Sequence, residues 1–545
     1  MTLSPPRPKL GLARLGRRRA DLAPTPAPST APKTDKSRGA GGSVGLGGSM
    51  GPRGWRGAGG GAWNVLPVPP SYRGTSVQVC GLWPFSGGSG RPVVGVPVGH
   101  DLTTGTTVCC DPINFFRHGL ISSPSMLVLG LQGLGKSSWT VRQILGLADQ
   151  GVTPLVLGDM KAEYVQVIRA IGGSVIRVGD TERINVLDPG AMGDAADRIG
   201  GEAGDVLREQ AIDRSVTLVT ALVQIVRRQP LEDWENTLVT RGIRQLVTAH
   251  RAAGQLPPTL PDLARLMVNP DDQMIRAALA GDRAEFLSST KRLARSLEAL
   301  LDGAIGRTFS GQTTNRIDLD APGVVVDVSA IRRHSDDVKA AIMLATWSEG
   351  YASVEAANAL AEAGKAPQKH YLMVMDEMWE MLRIEGAGLV DKLDGLTRLN
   401  RNDGVGNIFI THSLKDMESM TSAADARKAR GFAERSSIVV TAGLAMDDLR
   451  ALSEVKRMSE VEMRTVASWS TPAGWKQPMI RDPLTGITRP APPPGAGKVL
   501  IKVGERAGIQ TQVKLTGAEL AMHDTNTRWI AGAHFSSPAP ETLGP

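Results

Sequence analysis

One eight-residue segment limits the possible folds of this chain more than any other feature. Residues 130–137 read G-L-Q-G-L-G-K-S, which matches the P-loop pattern G-x-x-x-x-G-K-[ST] at every fixed position. The segment overlaps the end of S-M-L-V-L-G-L (125–131), typical of a buried strand, and the start of S-S-W-T-V-R-Q-I-L-G-L-A (137–148), typical of a helix. A strand, a glycine-rich loop and a helix in this order predict a phosphate-binding α/β fold.

The residues of this loop have separate predicted roles. Glycines let the backbone fold around phosphate so that its N–H groups point at the anion. Lys136 is predicted to be catalytic by neutralising the β- and γ-phosphates, and the Ser137 hydroxyl is predicted to hold Mg²⁺. The predicted nucleotide-binding residues are Gly130, Gly133, Gly135, Lys136, Ser137 and Ser138.

A second motif supplies the groups needed for hydrolysis. Residues 371–377 read Y-L-M-V-M-D-E, an apolar strand that ends in two carboxylates. Asp376 is predicted to join the Mg²⁺ shell, and Glu377 to polarise the attacking water. Such an ending alone is common in α/β folds, but together with the P-loop it predicts a Walker B strand and therefore an ATP hydrolase.

A glutamate directly after the Walker B aspartate is typical of RecA-like P-loop ATPases. In that branch an extra strand lies between the P-loop strand and the Walker B strand, and its tip carries a polar sensor of the γ-phosphate. The run N-I-F-I-T-H at 407–412 fits this strand, so Thr411 and His412 are the sensor candidates, with His412 predicted to be catalytic.

Strands alternate with helices on both sides of a long helical stretch, which predicts a parallel α/β sheet with an insertion. The fold class is an α/β, RecA-like P-loop NTPase core with an all-helical insertion, a small β-rich N-terminal subdomain and a disordered N-terminal tail. The predicted divisions are a basic Pro/Gly-rich tail (1–72), a β-rich subdomain (73–120), the first part of the core (121–190), an insertion of three to five helices (191–310), the second part of the core (311–530) and a disordered C-terminal tail (531–545).

Charge and composition exclude several classes of protein. Residues 1–56 carry a balance of +9 and the whole chain +7, so the remainder is close to neutral and the basic pI reflects only the tail. The sequence contains no run of about eighteen apolar residues, so it predicts no membrane-spanning helix. The N-terminus lacks the apolar h-region of a secretory signal. Three cysteines, two of them adjacent, argue against a disulfide framework or a zinc site and favour a cytoplasmic setting.

Four segments in order carry a family resemblance: D-M-K-A-E-Y (159–164), I-N-V-L-D-P-G (184–190), V-V-V-D-V-S-A-I (324–331) and D-E-M-W-E-M-L (376–382). Over roughly residues 78–530 the chain resembles the cytoplasmic ATPases of conjugative type IV secretion systems, which belong to the HerA–FtsK superfamily. The upstream G-L-W-P-F-S-G-G-S-G and G-V-P-V-G-H-D-L-T-T-G-T are similar to the actinobacterial version.

The resemblance implies a RecA-like core with a helical insertion, ATP and Mg²⁺ as cofactors, and a homo-hexamer. It implies a peripheral location at the inner face of the cell membrane, membrane components of the secretion apparatus as partners, and DNA as a further partner. ATP hydrolysis would energise transfer of DNA or protein, or assembly of the apparatus. His412 stands where many relatives have Gln.

A hexameric ATPase is expected to need an arginine that reaches the neighbouring subunit's γ-phosphate. Arg401 and Arg398 in R-L-N-R-N-D-G precede the sensor strand and are the first and second candidates, and Arg506 is the third. A cluster of Asp159, Lys161 and Glu163 follows the second core strand and is expected beside the active site, with a surface Asp–Lys pair as the alternative.

Two alternative functions remain open at this stage. One is a soluble DNA-translocating ATPase of the HerA/FtsK type. The other is a scaffold protein that uses nucleotide binding only as a switch, although such a protein has no need of Glu377 as a base.

Overall fold

The computed structural model describes residues 93–179, 182–318, 320–376, 403–413, 423–471, 479–481, 488–491 and 493–522. Glu377, Arg398 and Arg401 lie outside these ranges, as do both predicted tails, 1–72 and 531–545. The roles predicted for these residues therefore stay predictions. No helix in the described part of the chain is long and apolar enough to cross a membrane.

An eleven-stranded sheet forms the centre of the described structure, in the order β2-β1-β13-β12-β9-β3-β8-β7-β4-β6-β5. A two-stranded sheet, β10-β11, accompanies it. The strands are β1 (Pro97–Asp101), β2 (Thr107–Cys109), β3 (Ser125–Leu129), β4 (Val152–Asp159), β5 (Ser174–Arg177), β6 (Val324–Asp327), β7 (His370–Asp376), β8 (Val405–Thr411), β9 (Ile438–Thr441), β10 (Met479–Arg481), β11 (Thr488–Pro490), β12 (Lys498–Val503) and β13 (Ile509–Val513).

Seven neighbouring strands, from β9 to β5, are all parallel. The strand β8 lies between the P-loop strand β3 and the Walker B strand β7, and β4 pairs with the other side of β7. This order confirms the predicted RecA-like arrangement. Because parallel strands end at the same edge of a sheet, the Walker A, sensor, Walker B and D-M-K-A-E-Y segments all leave the sheet along one edge.

Four strands extend the sheet beyond β9 in antiparallel pairs. The hairpin of β12 and β13 joins β9 to β1. The described strands from the predicted β-rich subdomain, β1 and β2, thus continue the main sheet instead of forming a sheet of their own. Both faces of the central strands are covered, so their residues are apolar without interruption, as in S-M-L-V-L of β3.

Eight helices follow β5, where the sequence predicts three to five: α4 (Gly190–Ile199), α5 (Gly201–Arg227), α6 (Asp233–Ala252), α7 (Leu260–Val268), α8 (Asp272–Ala277), α9 (Arg283–Ser289), α10 (Lys291–Asp302) and α11 (Ala304–Phe309). The prediction undercounted because four of them have nine residues or fewer, too few for a periodic pattern. Their ends are marked by local capping instead, for example by the reciprocal Thr259–Asp262 capping box of α7.

The remaining helices pack on the two faces of the sheet or follow its strands. They are α1 (Pro112–Arg117), α2 (Lys136–Asp149), α3 (Val165–Ala170), α12 (Asp336–Glu362), α13 (Ala423–Arg435), α14 (Met446–Val455), α15 (Glu460–Trp469) and α16 (Gly517–Met522). One hydrophobic core joins the helical insertion and α12 to the sheet, and a second core lies under α1, α2 and α3 on the other face.

Candidate functional site: the P-loop and its neighbouring strand ends

The Walker A loop adopts a backbone that requires its glycines. Gly133 and Gly135 have φ of 76° and 107°, in the left-handed region that side chains disfavour. Gly135 is also the N-cap of α2, so the first N–H groups of this helix face the loop. A Cβ on Gly130 would lie 2.6 Å from the Cβ of Ala442, so this position requires a close approach as well.

Two other loops hold the Walker A loop in place. The N–H of Leu131 donates to the carbonyl of Gly443, just after β9, at 3.0 Å. On the other side, the N–H of Gly497 donates to the carbonyl of Leu134 at 3.0 Å, just before β12. The loop is therefore fixed between the end of a parallel strand and the start of the antiparallel hairpin, which preorganises it for an anion.

The lysine of the loop meets the predicted sensor. Lys136 is only 8% exposed, and its Nζ donates to the carbonyl oxygens of Gly130 at 2.5 Å and Leu131 at 3.3 Å. The same Nζ lies 3.0 Å from Nδ1 of His412, at the tip of β8. Since an ammonium has no lone pair, Nδ1 is the acceptor in this contact. The structure thus brings His412 to the P-loop lysine, although its catalytic role stays a prediction.

Thr411, the other sensor candidate, has a different environment. It is 2% exposed, and its hydroxyl donates to the carbonyl of Ser413 at 3.4 Å. Of the two candidates, His412 is the one that contacts the P-loop lysine.

Asp376 ends β7 at the same edge of the sheet. Its Oδ2 accepts a hydrogen bond of 3.1 Å from the hydroxyl of Tyr164, a fully buried residue that follows β4. Burial, with added repulsion from nearby carboxylates, raises the pKa of the Tyr164 phenol well above its ordinary value, so the hydroxyl keeps its proton. Sequence reasoning quoted Tyr164 as the end of D-M-K-A-E-Y but missed it as a site residue.

The carboxylate of Asp159 contacts backbone N–H groups of the turn that follows β4. Its Oδ1 accepts the N–H groups of Lys161 at 3.2 Å and Glu163 at 3.0 Å, and its Oδ2 accepts the N–H of Tyr164 at 2.8 Å. The turn it closes includes Ala162 with φ of 56°. Burial raises the pKa of Asp159 to about 6, against the lowering effect of these hydrogen bonds.

This turn explains why α3 begins only at Val165. The side chain of Lys161 is exposed, while Oε2 of Glu163 is buried with no hydrogen-bond partner among the described residues. The cluster therefore lies beside Asp376, as expected, but its members differ in what they contact.

The comparisons with known proteins bear on the fold. No protein-family profile and no curated protein sequence matches the chain. The structure of VirB4 from Thermoanaerobacter pseudethanolicus superposes with a TM-score of 0.57, over 79% of this chain and 100% of that one, at 17% identity. The chain has the VirB4 fold. This finding confirms the fold that the sequence resemblance to conjugative secretion ATPases implies.

Two further solved structures match the chain with lower TM-scores. The plasmid coupling protein TrwB in complex with ADP and Mg²⁺ has a TM-score of 0.42 over 79% of this chain and 96% of that one, at 10% identity. The cytoplasmic domain of the type VII secretion ATPase EccC from Thermomonospora curvata has a TM-score of 0.27 over 78% and 29%, at 13% identity.

The residues of this site fit a magnesium nucleotide. Ser137 and Ser138 are partly exposed at the start of α2 and offer hydroxyl oxygens, and Asp376 offers a carboxylate. Mg²⁺ prefers oxygen ligands and usually takes only one or two from protein, with phosphates and water completing the shell. Ser137 and Asp376 are the described residues that would hold the ion, which would neutralise charge developing on the phosphates.

Arg506 does not lie at this edge of the sheet. It follows β12, whose end at Val503 pairs with Ile438, the first residue of β9. Since β9 runs parallel to β3, this point is at the opposite edge from the Walker A loop. Arg506 therefore cannot reach the P-loop of its own chain.

Proposed function

We propose that this chain is an ATP hydrolase that energises a conjugative or type IV secretion machine. The observation that carries the proposal is the contact of Lys136 with His412, beside a Walker B strand that ends in Asp376. Three strand ends of the RecA-like order thus present a phosphate-binding loop, a polar sensor and a metal-shell carboxylate. Glu377, the next residue, is the general base in this proposal.

The wider function rests on the four ordered motifs and on the VirB4 fold. ATP hydrolysis would drive movements of a homo-hexamer that works with membrane components of the transfer apparatus, at the inner face of the cell membrane. The transported substrate is DNA or protein. The two loops that hold the Walker A loop offer a route for such movements, because a shift of the β12–β13 hairpin displaces Gly497 and with it Leu134.

The test measures nucleotide binding and ATP hydrolysis of the purified full chain with Mg²⁺, alongside its mass in solution. Lys136→Ala should lose both activities, because the phosphates lose their cation. Glu377→Gln should still bind ATP, and its turnover should fall by about 10²–10⁴-fold if it acts as general base. Lys369→Ala is a suitable control, since Lys369 precedes the opposite end of β7 and pairs with Asp320.

The results separate the proposal from its alternatives. Tight nucleotide binding by the wild type with no turnover under any condition would favour a nucleotide switch. Hydrolysis that depends on single- or double-stranded DNA would favour a DNA translocase. Equal loss of binding in Lys136→Ala and Glu377→Gln would contradict the division of roles between these residues.

A further inference from the structure

Tyr164 links the ends of β4 and β7, which are far apart in the sequence. It lies 212 residues before Asp376, yet its hydroxyl donates to Oδ2 of that carboxylate at 3.1 Å. The Tyr164 side chain is fully buried, so its ring is held by packing against the core on the α2 side of the sheet. A hydroxyl on a rigid, buried ring offers a donor at a fixed point in space.

The position of this ring is itself determined by the turn after β4. Asp159 accepts three backbone N–H groups of that turn, and the shortest of these hydrogen bonds is with Tyr164 itself. Because β4 pairs directly with β7, the turn and the end of the Walker B strand are neighbours. The chain of contacts therefore runs from β4 through Asp159 and Tyr164 to Asp376.

A carboxylate beside a metal needs its orientation fixed. It has two oxygens and a soft terminal torsion, so without a partner it samples several directions. A hydrogen bond to one oxygen restricts this torsion and so limits the directions in which the carboxylate can face the metal or its water shell. Partners of this kind, which contact the ligand and not the metal, typically change metal affinity by about 10- to 100-fold.

We propose that Tyr164 is a positioning residue that orients Asp376 toward the Mg²⁺ of bound nucleotide, and that Asp159 holds Tyr164 in place. This inference rests on the proposed function, since it assigns a role within the same site. It makes the D-M-K-A-E-Y turn a support of the Walker B aspartate rather than a direct ligand of the nucleotide.

The chain offers a matched pair of variants. Tyr164→Phe removes the hydroxyl that contacts Asp376 and keeps the ring. Tyr371→Phe removes a hydroxyl on β7 itself that is buried and has no hydrogen-bond partner within the described structure. Each change removes one hydroxyl oxygen from a fully buried ring near or on the Walker B strand. The two variants therefore lose the same volume, but only Tyr164→Phe loses a contact with Asp376.

The measurement is binding of a fluorescent ATP analogue to the full chain, first in EDTA and then across a Mg²⁺ titration, with hydrolysis followed in parallel. Tyr164→Phe should bind the analogue in EDTA as the wild type does. Its half-maximal Mg²⁺ concentration should rise by about 10- to 100-fold, and hydrolysis should recover at high Mg²⁺. Tyr371→Phe should match the wild type in every respect.

Three outcomes would overturn the inference. An unchanged Mg²⁺ requirement in Tyr164→Phe would show that the hydroxyl does not orient Asp376. An equal shift in both Tyr variants would indicate general loosening of the core. A wild type that neither binds the analogue nor hydrolyses ATP at any Mg²⁺ concentration would refute the proposed function itself, and this inference with it.

A second variant tests the support from Asp159. Asp159→Asn replaces one acceptor oxygen by an amide donor, so the turn loses at least one of its three backbone hydrogen bonds. It should raise the Mg²⁺ requirement in the same direction as Tyr164→Phe. The double variant should be no worse than the stronger single variant, because both changes act through one contact; additive shifts would contradict the proposed sequence of contacts.

Discussion

Glu349 should make the protein less stable as the pH rises, and Glu349→Gln should remove this effect. Glu349 lies on α12 and lines two pockets between the insertion and the sheet. Its side chain has no hydrogen-bond partner within the described ranges. Burial, and then repulsion from Asp188, raises the pKa of Glu349 to about 7 from 4.5.

The nearby arginines do not offset this burial because they have other partners. Arg316 forms an ion pair with Asp188 at 2.8 Å, and Arg214 donates to Glu355 and to the carbonyl of Ser348. Glu349 is therefore more easily accommodated as a neutral acid. The folded state holds the proton more tightly than the unfolded state between pH 4.5 and about 7, so stability declines as the pH rises through this window.

The loss of stability can be calculated from the pKa, which rises from 4.5 to about 7 on folding. Each pKa unit corresponds to about 1.4 kcal/mol, so the free energy of unfolding should fall by about 3 kcal/mol once the pH exceeds 7. Because the side chain is partly exposed, screening by solvent makes this an upper value. Glutamine keeps the shape without the charge, and its unpaired amide costs about 1 kcal/mol. Glu349→Gln should thus be slightly destabilising at pH 5 and stabilising by about 1–2 kcal/mol at pH 8.

The assay is urea unfolding of the wild type and Glu349→Gln at pH 5 and pH 8, with the difference in unfolding free energy compared between the two pH values. Glu355→Gln on the same helix is the control. Its ion pair with Arg214 is partly solvated, so this change should alter the free energy of unfolding by less than about 1 kcal/mol at either pH. If the unfolding free energies of Glu349→Gln and the wild type differ by the same amount at both pH values, the reasoning is refuted.

Two further predictions concern the insertion and the assembly. Glu235 is fully buried and accepts two hydrogen bonds of 2.6 and 3.0 Å from Arg227. Glu235→Ala should therefore lower the free energy of unfolding, measured in urea, by about 3–5 kcal/mol. A loss below about 1 kcal/mol would mean that water reaches the guanidinium. Arg401→Ala should reduce turnover and spare nucleotide binding, and mixing it with Glu377→Gln should restore activity above either variant in a ring. No recovery in proven hetero-oligomers would argue against Arg401 as the trans arginine, unless turnover needs every site of the ring to be intact.

The sequence alone determined the fold class and the two nucleotide motifs of this protein. Local patterns suffice for these because the P-loop needs glycines and a lysine within eight residues, and buried parallel strands need continuous apolar runs such as S-M-L-V-L. The order of β3, β8, β7 and β4 could also be predicted, since a glutamate after the Walker B aspartate is typical of one arrangement of the sheet. The number of helices in the insertion could not, because short helices carry too little periodicity.

Only the tertiary structure decided which side chains meet at the site. Lys136 and His412 are 276 residues apart, and Tyr164 and Asp376 are 212 apart. Periodicity shows which face of a strand is buried, but it does not show which strand tips become neighbours or how far each side chain reaches. The same limit applies to Glu349, because the sequence of its helix does not show which charged groups lie near it. Its environment comes from Asp188, Arg214 and Arg316, which packing brings in from elsewhere in the chain.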